Sequence, residues 1–212
     1  MTDPAALSSL LWWLLGAVVF PLWLLSGFGD YLFHARTDIA HTSGTHESAL
    51  HLLQTAEIGI PLLAFLFFQA NAPVLLLMIA GVAAHAFTSW RDLRYAAQLR
   101  YIPPGEQYVH AFLNVLPWVA LALVLVLHWP AVTSLFDPSV ASDWVPRPRR
   151  PGFDGAIVFA VLASSVLLGL LPGVLEFIRT LSARRSAETI VQARAATAHA
   201  SSSNARSATK PR

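Results

Sequence analysis

The sequence predicts an all-α fold: an integral membrane helical bundle of about five transmembrane helices, with a disordered basic C-terminal tail. Composition is the first reason. Of the 212 residues, 55% are hydrophobic and only 12% charged, against roughly 25% charged in a water-soluble domain. Length is the second. Five apolar runs each approach the about 20 residues that cross a bilayer as a helix. The third is where the remaining polarity lies. The stretch Asp30–Glu57, DYLFHARTDIAHTSGTHESALHLLQTAE, holds four of the eight histidines and four of the twelve acids, and an apolar run flanks it on each side. Histidine and carboxylate are costly at membrane depth and mark functional sites there.

The first span is expected from about Ala6 to Gly29, after Pro4 and with a kink at Pro21. Trp12, Trp13 and Trp23 are its expected interface anchors. A polar turn, Ala35–Thr45, leads to a second span from about His46 to Gln69. Asn71-Ala72-Pro73 makes a tight connection, because Asn favours a turn and Pro opens a helix. The third span starts near Pro73 and continues as a polar helix to Arg100, where Ile102-Pro103-Pro104-Gly105 breaks it. The fourth runs from about Glu106 to His128, and a Pro- and Arg-rich loop, Trp129–Phe153, follows. The fifth starts at Asp154 and reaches Leu171 or, past Pro172-Gly173, Arg179. Residues 1–181 are thus read as the transmembrane domain and 182–212 as the tail, whose Ala, Ser and Arg leave little to bury. No basic n-region precedes the first run, so no cleaved signal peptide is expected.

Five spans place the termini on opposite sides. Eleven of the fourteen Lys and Arg residues fall on the side of the tail, and Arg147, Arg149 and Arg150 on the other. The positive-inside rule makes the tail side cytoplasmic and the N-terminus external. The expected location is the bacterial inner membrane, the bacterial part following from a resemblance given below.

This topology gathers Asp30, His34, His46, Glu47, His51, Glu57, His85, Asp92, Glu106 and His110 at the cytoplasmic ends of four helices. His41 lies in the polar turn of the same side. Asp30/His34, Glu47/His51 and Glu106/His110 are i, i+4 pairs, each on one helix face. At about 100° per residue, His46, Glu47, His51, Gln54 and Glu57 share one broad sector. Without cysteine, thiolate and iron–sulfur sites are excluded. A mixed His/carboxylate set suits non-haem iron, manganese or zinc. The expected metal ligands are Asp30, His34, His46, Glu47, His51, His85, Asp92, Glu106 and His110, with Glu57 as a catalytic base. Arg91, Arg94 and Arg100, with Tyr95 and Tyr101, form a basic aromatic rim beside them. It reads as ordinary flanking charge or as a clamp for an anionic group. No nucleic-acid arm is expected, since the tail lacks the charge density.

The order of histidines at cytoplasmic helix ends resembles the membrane di-iron hydroxylases and desaturases. The resemblance implies iron ligation by His34, His46, His51, His85 and His110, with Glu47 and Glu106 as carboxylate partners. That superfamily carries His-His pairs, which this chain lacks. The string TSGTHESALHLLQTAE resembles an uncharacterised bacterial integral membrane protein family. The expected function is therefore a membrane non-haem iron oxidoreductase, with one iron or a di-iron pair, acting on a membrane lipid or other apolar substrate with an electron-donor protein. The competing expectations are a zinc-dependent lipid hydrolase, similar in outline to membrane ceramidase-like enzymes, and a non-enzymatic haem- or metal-binding membrane protein.

Overall fold

Proline and glycine set the outline of this chain, and apolar runs fill it. The computed structural model describes residues 3–137, 139 and 141–208, and among the described residues it is helical with no named strand. Five helices are long and apolar enough to span a membrane: α1 Pro4–Arg36, α2 Gly44–Phe67, α3 Ala72–Leu99, α4 Pro104–Leu127 and α5 Gly155–Arg194. Pro4, Pro73 and Pro104 each sit in the first turn of a helix, where a missing N–H costs nothing. Asp3 and Asp154 cap α1 and α5 by accepting from Ala5 N (3.1 Å) and Ala156 N (2.7 Å). The helices pack up and down, α2 against α3, α1 against α4 and α5 against α2.

The expected kink at Pro21 takes the form of a π-helical stretch, Leu14–Val19, just ahead of it. A second stretch, Ser165–Leu170, precedes Pro172. A proline ring clashes with the carbonyl four residues back, at Ala17 and Leu168 here, and a wider turn absorbs the clash. Pro61 is handled differently. It stays inside α2, and the carbonyl it frees, that of Glu57, lies against Gly81 of α3. A Cβ at Gly81 would stand 2.5 Å from both Glu57 O and Pro61 Cγ, so only glycine lets the two helices approach there.

Two expectations change. The first helix does not stop at Gly29 but carries Asp30 and His34 within its last turns. The tail, expected to be disordered or loosely helical, is helical to Ala208, with residues 184–194 exposed. Packing does not explain this helix, but Ala, Arg, Glu and Gln are strong helix formers on their own. Residues 209–212 of the expected tail lie outside the described residues.

The bundle has two unlike ends. At the end holding the α2–α3 turn, Phe65, Leu75, Val124 and Val132 form a buried apolar core, with Trp12 and Phe153 packed against it. The 143–149 segment straps this end, with Gln69 N donating to Arg147 O (2.9 Å) and Arg149 N to Phe67 O (2.8 Å). At the other end buried charged residues join apolar ones such as Ile39, Ala96 and Ile102.

Candidate metal centre

Each of the five helices delivers an acid or a histidine to the charged end. The last turns of α1 supply Asp30 and His34, one turn apart. Gly44, at φ +63°, turns the chain into α2, whose first turns supply Glu47 and His51. The last turns of α3 supply Asp92, and Arg100 caps that helix. Glu106 and His110 open α4, and Glu176 enters from α5.

His34 is at the centre and fully buried. Its Nδ1 donates to Glu176 Oε2 at 2.9 Å, which leaves Nε2 with a lone pair. That Nε2 faces Glu106 Oε1 at 3.4 Å, Asp30 Oδ1 at 3.5 Å and Glu47 Oε1 at 3.7 Å. His110 Nε2 stands 2.9 Å from the same Asp30 oxygen. His51 stacks on His34 at 4.6 Å, with Nδ1 against Glu176 Oε1 (3.1 Å) and Nε2 against Asp92 Oδ2 (3.0 Å). Glu176 therefore joins the two stacked imidazoles, and both His51 nitrogens already meet a carboxylate.

Arg100 closes the outer side. Its guanidinium reaches Glu47 Oε1 at 2.6 Å and Glu106 Oε2 at 3.1 Å, with both acids fully buried. Burial works against the Arg100 charge, but the hydrogen bonds from Glu106 and Glu47 outweigh it and raise its pKa above the ordinary value. Asp30, Glu47, Asp92, Glu106 and Glu176 are all buried, and Arg100 is the guanidinium that answers them. Buried carboxylates in such excess need protons or cations as partners.

Three buried atoms at the centre make no well-aligned hydrogen bond, Asp30 Oδ1, His34 Nε2 and His110 Nε2, although Asp30 Oδ1 and His110 Nε2 stand 2.9 Å apart as an ion pair. Together with a Glu106 oxygen they form a set of four donors within 4.8 Å of one another. Donors about 2.1 Å from a shared tetrahedral ion stand about 3.4 Å apart. The His34–Glu106 and His34–Asp30 separations, 3.4 and 3.5 Å, match that spacing. The donor set and the orphaned atoms thus fit a transition metal ion. A second set, His34, Glu47 and His51, shares His34 with the first.

The structure brings together seven of the ten residues singled out from the sequence: Asp30, His34, Glu47, His51, Asp92, Glu106 and His110. Three stand apart. His46 is exposed and leans on Tyr95 at 4.4 Å, because five residues of helix rotate it about 140° from His51. His85 is buried on the same face as Asp92 but two turns, about 10 Å, deeper; its Nε2 donates to Leu113 O at 3.3 Å. Glu57 lies about 120° around α2 from His51 and accepts from Thr88 Oγ1 at 2.8 Å, outside both donor sets. His41 is exposed beside Asp38, at 2.8 Å.

Sequence reasoning missed Glu176. The signal was present: an acid within the apolar run LLPGVLEFI. Arg100 was read as rim, whereas it is buried between two site acids. Compared with family models, curated proteins and solved structures, the chain matches none of them.

Proposed function

We propose that this chain is an integral membrane metalloprotein, with Asp30, His34, Glu106 and His110 holding a metal ion at the cytoplasmic face. The convergence of four donor atoms, from Asp30, His34, Glu106 and His110, within 4.8 Å of one another carries this reading. The metal we favour is iron, and the reaction an oxidation of a lipid or other apolar substrate. What supports iron is the donor chemistry: two carboxylates with two imidazoles, and no thiolate. The surplus of five acids over Arg100 and the doubly hydrogen-bonded His51 leaves negative charge that one or two divalent ions would offset, as in a mono- or di-iron centre.

Bound iron supplies the one-electron and dioxygen chemistry that side chains lack. The protein's own residues do the rest. Glu176 holds His34 in the tautomer that leaves Nε2 free. Arg100 fixes Glu47 and Glu106 and shuts the outer side against water. Electrons come from a donor protein, since the chain has no nicotinamide or flavin motif. The zinc hydrolase keeps Glu47 and Glu106 among the donor sets as candidate bases, while Glu57 lies outside them. An axial haem pair finds little support, because His34 and His51 stack face to face at 4.6 Å. The arginine distribution supports an inner-membrane protein with its C-terminus in the cytoplasm.

The test is metal content by mass spectrometry on the detergent-purified chain, with His34→Ala and His110→Ala beside it. We expect about one to two irons per chain, falling to background in both variants. Zinc as the sole metal would overturn the oxidoreductase. A chain that holds no metal after reconstitution would overturn the metal centre itself.

A further inference from the structure

Two cavities lie inside the bundle, and they share a wall. The larger, about 490 Å³, is lined by all five helices, from Trp12 and Phe65 at the apolar end to Trp23 and Leu62 in the middle. The smaller, about 130 Å³, starts at Trp23 and Leu62 and ends at His51 and Glu176. The larger falls within the size range of sites for small apolar ligands. Both π-helical stretches border this space: Leu15, Gly16 and Val19 line the larger cavity, and Ser165 and Gly169 the smaller. Such stretches recur at functional sites.

The walls also carry unused donors. Trp23 Nε1 and Ser165 Oγ are buried without a partner, and both residues line the smaller cavity. An indole N–H only donates and a hydroxyl readily does, so both call for an acceptor oxygen. The far end of that cavity presents Asp30 and Glu176. An anionic head would meet those carboxylates at close range and in poor solvation, and a protonated amine would bring no acceptor to Trp23 and Ser165.

We infer that the joined cavities bind one neutral lipid bearing an acceptor oxygen, its apolar body in the larger space and its oxygen at Trp23 and Ser165. A fatty alcohol, an ester or a ketone has this chemistry; an ionised fatty acid does not. The inference rests on the proposed function only for the chemistry done at the cluster. Binding itself requires no metal.

The test uses the detergent-purified full chain with radiolabelled hexadecanol and, for the same chain length with a charge, palmitate. We expect hexadecanol to bind at least about tenfold tighter. Gly16→Leu fills the larger cavity, since a Cβ there meets nothing within 4 Å; it should abolish most hexadecanol binding, and Ala120→Leu should do the same if the first variant does not fold. Trp23→Phe and Ser165→Ala should each weaken hexadecanol about fivefold. Palmitate binding as tightly as hexadecanol, or unchanged binding in the folded cavity-filling variants, would overturn the inference. Hexadecanol bound by a chain that takes no metal would refute the metal centre and leave this site standing. A metal-loaded chain indifferent to hexadecanol would do the reverse.

Discussion

At one end of the bundle Phe65, Leu75, Val124 and Val132 pack without a charge among them; at the other, five buried acids surround His34 and Arg100. The same five helices build both ends, so helix geometry is not what separates them. The apolar end rests on shape. Its groups need only close neighbours, and the loss of one leaves a void. The charged end rests on partnership, and the loss of one group strands another in a medium that cannot solvate it. In lipid the contrast sharpens, because burying an apolar side chain there gains only packing. Stability and metal binding should therefore divide between the ends.

The largest expected effect comes from Arg100→Met. It strands Glu47 and Glu106 and should cost about 3–5 kcal/mol in denaturant titrations. The triple variant with Glu47→Gln and Glu106→Gln should recover most of that loss. Failure of the triple variant to recover would mean that Arg100 acts through packing rather than charge. Phe65→Ala comes next, at about 3 kcal/mol, the low end of the range for soluble cores. It should leave metal stoichiometry unchanged. Loss of metal in Phe65→Ala would show that the two ends are not independent.

Glu176→Gln tests the charged end alone. Its carboxylate orients His34 and His51 without joining the four-donor set. Residues in that position typically change metal affinity about 10- to 100-fold. We expect that loss in metal titrations, with stability changed far less than in Arg100→Met. Unaltered affinity would remove Glu176 from the centre. His46→Ala, at an exposed position, should change neither affinity nor stability by more than about 0.5 kcal/mol.

Hydropathy made the five helices legible, and their number stands. The i, i+4 pairs were legible too, because one turn of helix fixes a shared face whatever surrounds it. Depth and rotation were harder. Glu57, His85 and His46 all satisfied a generous sector, yet each misses the centre by about two turns or by 120–140°. Those offsets were computable from residue number alone, but the axis of convergence was not. Glu176 was hidden for another reason: it lies far along the chain and has no histidine one turn away. Arg100 was hidden by its own plausibility as a flanking charge, since a guanidinium between two acids is visible only once three helix ends meet.

The smallest expected effect returns to the apolar end. His128 is the titratable group set among its rings, edge-on to Trp12 at 6.1 Å and to Phe65 at 5.7 Å. Its Nδ1 donates to Val124 O at 3.0 Å, a bond that the neutral ring already satisfies. Burial first, and the nearby Arg149 charge second, push its pKa below the ordinary value near 6.5; the Val124 hydrogen bond only partly opposes them. The unfolded chain therefore takes up a proton before the folded one does. Stability from this site is complete above about pH 6.5 and declines as the pH falls toward the lowered value. His128→Phe removes the titration, so the wild type should lose stability relative to the variant as the pH falls below about 6.5. The charged end is the same in both proteins and cancels in the difference, because distant sites add independently. A difference that does not change with pH would remove His128 as a titrating site, and one that grows in the wild type's favour toward acid would place a carboxylate partner beside it. Either result would make the apolar end more like the charged one than its residues suggest.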